Sequence, residues 1–271
     1  IALTTLNAGR LAVPAGCVGC VDKCLDIVKR WTNDRVQWGH PIGKHEAIAH
    51  KVSNMVATGY AMEAVSILSS KLACIPGYDI RLEAAAAKEF NTFWGWQIID
   101  ETMQIKGGRG YETEKSLNDR GELAEPIERM LRDFRINRIF EGSSEIMHLI
   151  IARESLDDHM KMAKPFISKS SALDKLKAVG KMAKFYSTWY PMTFVPTVWP
   201  SYFKYGKLAK HLRFVANMSK KLARTTFHGM MLFGKKLQYK QAFMFRVVDI
   251  ILDLFAMSSC LSFAISKNDN V

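Results

Sequence analysis

The chain has 271 residues, 48% of them hydrophobic, which is enough apolar material for one or two sizeable cores. Its net charge of +12 is unevenly spread: residues 161–271 carry 19 Lys and Arg against four Asp and no Glu, leaving residues 1–160 slightly acidic. The asymmetry marks two domains and turns the second toward anionic partners, but without any helix-turn-helix, zinc-finger or RNA-binding signature it argues against nucleic acid.

The chain opens at Ile1 without an initiator Met or signal peptide, and so reads as part of a longer protein. Residues 4–31 form an apolar helical stretch in which Gly16 and Gly19 permit close packing. Cys17, Cys20 and Cys24 fall at i, i+3 and i+7 on one face; no second pair or neighbouring histidines complete a metal site, so they read as packed thiols in a reducing compartment. Residues 44–74 place Ile48, Val52, Met55, Met62 and Val65 on one stripe at helical spacing. Pro76 and Gly77 break the chain before a third long helix over 79–105, whose Phe90, Phe93, Trp94 and Trp96 read as core. Glycines 107, 108 and 110 end it, and the charged residues 112–125 read as a solvated loop before the short helix PIERMLRD.

Residues 132–153, RDFRINRIFEGSSEIMHLIIAR, carry the densest functional signal. Glu141 and Gly142 precede Ser143 and Ser144, which can cap the helical run of Ile146, Leu149 and Ile150. A carboxylate held still at a helix start, behind Phe140, suits a general base; by itself it reads first as a charge complementing the helix dipole. Together these elements predict an all-α chain: an up-and-down four-helix bundle whose last helix follows Glu141, then a second helical domain.

Pro165 and ISKSSALDK mark the expected linker, dividing the chain into domains of residues 1–163 and 164–271. Residues 185–203 hold eight aromatics and three prolines without a charge. The prolines exclude a spanning helix, leaving an aromatic loop at lipid headgroups or a strap packed on protein. Residues 203–232 interleave Leu208, Leu212, Val215 and Leu222 with Lys204, Lys207, Lys210, Lys220, Lys221 and Arg224, a basic amphipathic helix suited to an anionic membrane surface. The last apolar helix, 241–266, is interrupted by Arg246, Asp249 and Asp253 and reads as too polar to span a membrane.

Four segments in order resemble the acyl-CoA dehydrogenases over residues 3–162. LNAGRLAVPAG (6–16) is similar to the start of that family's C-terminal helical domain, and DRVQWGHPIGKHEAI (34–48) to its R-x-x-F-G-x-P-I segment. QIKGGRGY (104–111) resembles its flavin segment, and IFEGSSEI (139–146) its IYEGTSEI-type signature. The helical extension resembles the very-long-chain branch in layout. Family members carry an N-terminal helical domain and a middle β-domain that this sequence does not contain, so the chain alone is expected to be inactive.

The resemblance implies oxidation of long-chain fatty acyl-CoA to trans-2-enoyl-CoA in fatty acid β-oxidation, with FAD as cofactor and electron-transfer flavoprotein as electron acceptor. Glu141 matches the α-proton base, and Gly9 stands where some relatives carry that base instead. Arg35, Trp38, Gln104, Gly107, Gly108, Gly110, Ser143 and Glu145 match cofactor-binding positions; Asn7, Arg10, Gly142 and Arg153 match substrate-binding positions. Trp38 replaces a usual Phe, Ser143 a usual Thr, and Glu46 a Gln near the adenine. The implied assembly is a homodimer sharing FAD, peripheral to a membrane. Its compartment is the mitochondrial matrix and inner-membrane surface, or the bacterial cytoplasm and inner-membrane periphery. An assembly or scaffold protein derived from a dehydrogenase is the alternative, and a basic half that is solely a membrane-targeting module is a third.

Overall fold

A computed structural model describes residues 2–167 and 171–267, almost all helical, in two compact units, Ile1–Met147 and His148–Val271. The first is built on three long helices, α1 (Ala2–Asp34), α2 (Glu46–Ala73) and α3 (Arg81–Lys106). The run Ala84–Ala87 is buried throughout, and its short side chains allow α1 and α2 to pack closely against α3. Asn91, fully buried on α3, donates from one amide nitrogen to the carbonyls of Pro14 on α1 (3.2 Å) and Met62 on α2 (3.1 Å), tying the three helices.

Between α1 and α2 lies a two-stranded hairpin, β1 (Val36–Gln37) and β2 (His40–Pro41), a small exception to the all-helical expectation. Its turn residues Trp38 and Gly39 both have positive φ, as a two-residue hairpin requires. After α3 come α4 (Gly108–Tyr111), α5 (Glu114–Asp119), α6 (Ile127–Arg135) and α7 (Ser144–Ser155). α6 packs on α3, where Phe134 lies so close to Gly95 that a Cβ there would stand 2.5 Å from its ring.

Two expectations are corrected here. Of the four aromatics assigned to the core, only Phe90 is buried; Phe93 and Trp96 are half-buried and Trp94 is exposed. Residues 112–125 are not a solvated loop. Thr113 caps α5 by accepting from the Ser116 amide, Leu117 is buried, and Glu125 is buried between Lys106 and Arg30. The three thiols on α1 do pack as expected, Cys17 and Cys24 buried and Cys20 half-buried; burial pushes the Cys17 thiol up to about 12.

The second unit contains α8 (Asp157–Ile167), α9 (Ala172–Met192), α10 (Ala209–Phe233) and α11 (Gln241–Lys267). Pro165, expected in a linker, lies inside α8; residues 168–170 of that linker are outside the described residues. The aromatic stretch also divides. Phe185, Tyr186 and Trp189 are helical on α9 and cluster with His159 of α8 and Phe227 of α10. Phe194, Val198, Trp199 and Phe203 instead stay exposed.

Residues 193–201 are stapled to α10 by a stripe at helical spacing. Arg213 donates to the Ser201 carbonyl (3.0 Å), Lys220 to Val195 (2.9 Å) and Arg224 to Thr193 (2.9 Å), while Asn217 both donates to and accepts from the Thr197 backbone. Lys220 and Arg224 thus hold the loop and do not form the free basic face expected of them. α11 contains an 18-residue window of mean hydropathy 1.8, enough to cross a membrane by length and composition alone, while its Val247, Val248, Leu252 and Leu261 are buried as in the core helix of a folded unit.

Candidate active site and cofactor-facing end

Glu141 sits on a turn with φ +55, followed by Gly142 at φ +103. A Cβ added to Gly142 would meet the Met147 methyl at 2.2 Å, so both backbone angle and packing require glycine there. The Glu141 carboxylate lies against α1: a Cβ built on Gly9 would stand 3.3 Å from Oε2. That oxygen is buried and has no hydrogen-bond partner among the described residues. The missing side chain at Gly9 therefore leaves room on α1 for the Glu141 carboxylate.

Around this carboxylate the fold gathers charge that sequence reading largely missed. Arg10, three residues beyond Asn7 and so on the same helical face, is buried, and its Nε has no acceptor. Arg138 lies over the Phe93 ring at 4.9 Å, also with an unpartnered buried Nε. Lys88 of α3 is fully buried and its ammonium donates to the Gly142 carbonyl at 2.6 Å. Burial pulls the Lys88 ammonium below its ordinary range; Glu89 and Cys17 oppose the shift, and Arg10 and Arg138 add to it. Glu89 is buried too, with Oε2 unpartnered. The available signal was a Lys-Glu pair inside the apolar run AAAAKEF, where solvated charges are out of place.

Gly142 and Ser143 belong to this turn, and Ser143 accepts from the Met147 amide at 2.8 Å. Glu145 is exposed in the first turn of α7. Arg153 is exposed in the last turn of α7 and falls in the second unit, so it is not assembled with the others within one compact body.

The remaining cofactor candidates gather at the opposite end of the bundle. From Arg10 to Asp34 along α1 is roughly 36 Å at 1.5 Å per residue. There Trp31 donates to the Ile105 carbonyl (3.1 Å) and Lys106 lies over its indole, bringing the hairpin beside the glycine turn. Arg35 is exposed, its guanidinium without a partner among the described residues, and Trp38 is 89% exposed on the hairpin tip. Gln104, Gly107 and Gly108 are exposed on the surface. Gly110 is glycine for internal reasons, since a Cβ would meet the Met103 carbonyl at 2.7 Å. A Cβ at Gly108 would meet nothing within 4 Å. That open backbone, beside a free guanidinium and an exposed indole, fits a dinucleotide lying across the surface. Glu46 opens α2 with its carboxylate exposed and 3.8 Å from His50. Among the described residues no group of acidic, His and Cys side chains could hold a metal.

The profile described as "Acyl-CoA dehydrogenase, C-terminal domain" matches residues 1–156. The chain belongs to the acyl-CoA dehydrogenase family. A Mycobacterium tuberculosis protein named "Probable acyl-CoA dehydrogenase FadE10" is 50% identical over 262 residues, covering 96% of this chain and 40% of that protein. The human very long-chain specific acyl-CoA dehydrogenase is 31% identical over 158 residues, 58% of this chain and 23% of that one. An acyl-CoA dehydrogenase from Bacillus anthracis, solved with FAD, superposes with a TM-score of 0.72 at 26% identity, over 98% of this chain and 43% of that one. The chain thus spans about two fifths of the mycobacterial relative. At 96% and 98% of this chain, the mycobacterial and Bacillus matches extend into the basic second half.

Proposed function

We propose that this chain serves the FAD-dependent α,β-dehydrogenation of long-chain fatty acyl-CoA in β-oxidation, with Glu141 as the α-proton base. The observation that carries the reading is the Glu141 carboxylate, held on a left-handed turn with one buried oxygen left without a donor. A base so placed is still, partly dry and ready to accept a proton. Arg10 and Arg138, whose Nε donors are unused, are available to the anionic and carbonyl groups of acyl-CoA, with Asn7 on the same face as Arg10.

FAD, when bound, supplies the acceptor for the hydride leaving the β-carbon. The chain's part would be to grip it: Arg35 would offer a guanidinium to its phosphates, Trp38 a stacking ring, and Gln104 with the open backbone of Gly107 and Gly108 a surface for close approach, on a turn that the buried Gly110 makes possible; Ser143 and Glu145 would meet it near the base. Because these two sets lie at opposite ends of α1, a homodimer in which each chain grips the other's cofactor is supported. The loaded enzyme would hand its electrons on to electron-transfer flavoprotein. The exposed Val198, Trp199 and Phe203, beside Lys204, Lys207 and Lys210, suit peripheral attachment to an anionic membrane. That setting fits the mitochondrial inner-membrane surface or a bacterial inner-membrane periphery.

The test is an anaerobic titration of the flavin-loaded enzyme, the chain joined to the N-terminal portion its longer relatives carry, with palmitoyl-CoA. Flavin absorbance bleaches in the unaltered enzyme and is retained in Glu141→Gln. Bound flavin that never bleaches at any chain length would replace this reading with an assembly or scaffold role.

A further inference from the structure

We propose that Lys88 is a positioning residue that holds the Glu141–Gly142 turn in the conformation presenting the base. The proposal rests on Glu141 being the proton acceptor and gives a task to a side chain that none of the site assignments includes.

A lysine normally keeps its ammonium in water by extending its apolar stem. Lys88 is instead completely enclosed, in the third turn of a helix and directly after the run Ala84–Ala87. Its hydrogen bond is made not to a carboxylate but to a backbone carbonyl, that of Gly142, 54 residues further along the chain. A charge-assisted bond of 2.6 Å to one specific carbonyl fixes the direction of that peptide plane.

The turn needs such a restraint. Glu141 is a non-glycine residue in the left-handed region, a conformation that persists only where surrounding contacts over-determine it. Two contacts do so: the Met147 methyl closes against Gly142, and Lys88 pulls on its carbonyl. Without Lys88 the carbonyl loses its donor and the peptide is free to rotate, moving the carboxylate out of its seat beside Gly9. The charges facing Lys88 are Arg10 from α1, Glu89 from its own helix and Arg138 from the turn before Glu141, with the Cys17 thiol beside them. It is therefore a buried cation with one carboxylate, Glu89, and two guanidiniums, Arg10 and Arg138, around it and, among the described residues, no direct ion pair among its hydrogen bonds. That arrangement is a poor choice for stability and is accounted for by the carbonyl it holds.

The test is Lys88→Met, which keeps the stem's shape and removes the donor and the charge. Hydrogen exchange on the 271-residue chain should accelerate about tenfold at the amides of residues 140–147 and stay unchanged along α1 and α2, with the thermal midpoint equal to or above that of the parent. In the flavin-loaded enzyme, kcat for palmitoyl-CoA should fall about a hundredfold with KM and flavin content within twofold. Exchange at 140–147 and kcat both within twofold of the parent would overturn the proposal. Uniformly faster exchange with a lowered midpoint would also overturn it, showing a residue needed only for folding. Full turnover by Glu141→Gln would instead remove the assignment of the base while leaving the exchange result to stand.

Discussion

Gly142 is constrained twice, by a φ of +103 and by the Met147 methyl that occupies the space a Cβ would need. Gly142→Ala should therefore destabilise the first unit by about 1–3 kcal/mol, combining backbone strain with overpacking. Denaturant unfolding of the isolated chain measures this, and an unchanged midpoint would show that the turn relaxes freely. At this scale the sequence was readable where chemistry is displayed on a motif. Glu141 lies against the side-chain-free Gly9, and Arg35 and Trp38 are exposed, so the residues the motifs single out are at least displayed where a ligand can meet them. It was unreadable where the relevant residue is a charge buried inside an apolar run. The periodicity of α3 signals which face packs, not that Lys88 and Glu89 are carried inside with it.

The segment 193–201 has no regular structure, and its carbonyls must still find donors. They find them on one stripe of α10, where Asn217 makes two bonds to Thr197 and is flanked by Arg213, Lys220 and Arg224. Asn217→Ala removes both bonds and should cost about 1–3 kcal/mol, because the Thr197 amide is left without an acceptor in a half-buried setting. Faster amide exchange confined to residues 193–203 is the expected signature; exchange no different from the parent would show that Arg213, Lys220 and Arg224 suffice to hold the loop. The amphipathic pattern of α10 was legible, but the use of its polar face was not. A sequence shows that cations line one side of a helix without showing which of them already have carbonyl partners. The same limit applies to residues 112–125, where charge alone suggested solvent although Glu125 is enclosed between Lys106 and Arg30.

For the molecule as a whole, the uneven charge sets the external behaviour. The chain's net +12 arises from its second half, and the exposed Val198, Trp199 and Phe203 sit beside lysines that make no staple to the loop. Binding to anionic vesicles should be strong at low salt and weaken progressively as ionic strength shortens the range of attraction to about 8–10 Å. Trp199→Ser should weaken it without altering the salt dependence. Equal pelleting with neutral vesicles, or none with anionic ones, would remove the membrane assignment. The helical class and the division of charge were legible at this scale because both are properties of long stretches.

The length of α1 carries a genetic implication. The proposed base and the proposed cofactor grip lie at its two ends, so in a dimer that exchanges grips, damage at Arg35 would impair the neighbour's chemistry and spare the chain's own base. An allele broken at Arg35 and an allele broken at Glu141 would then complement one another, since one of the two sites in the mixed dimer draws both of its parts from intact ends.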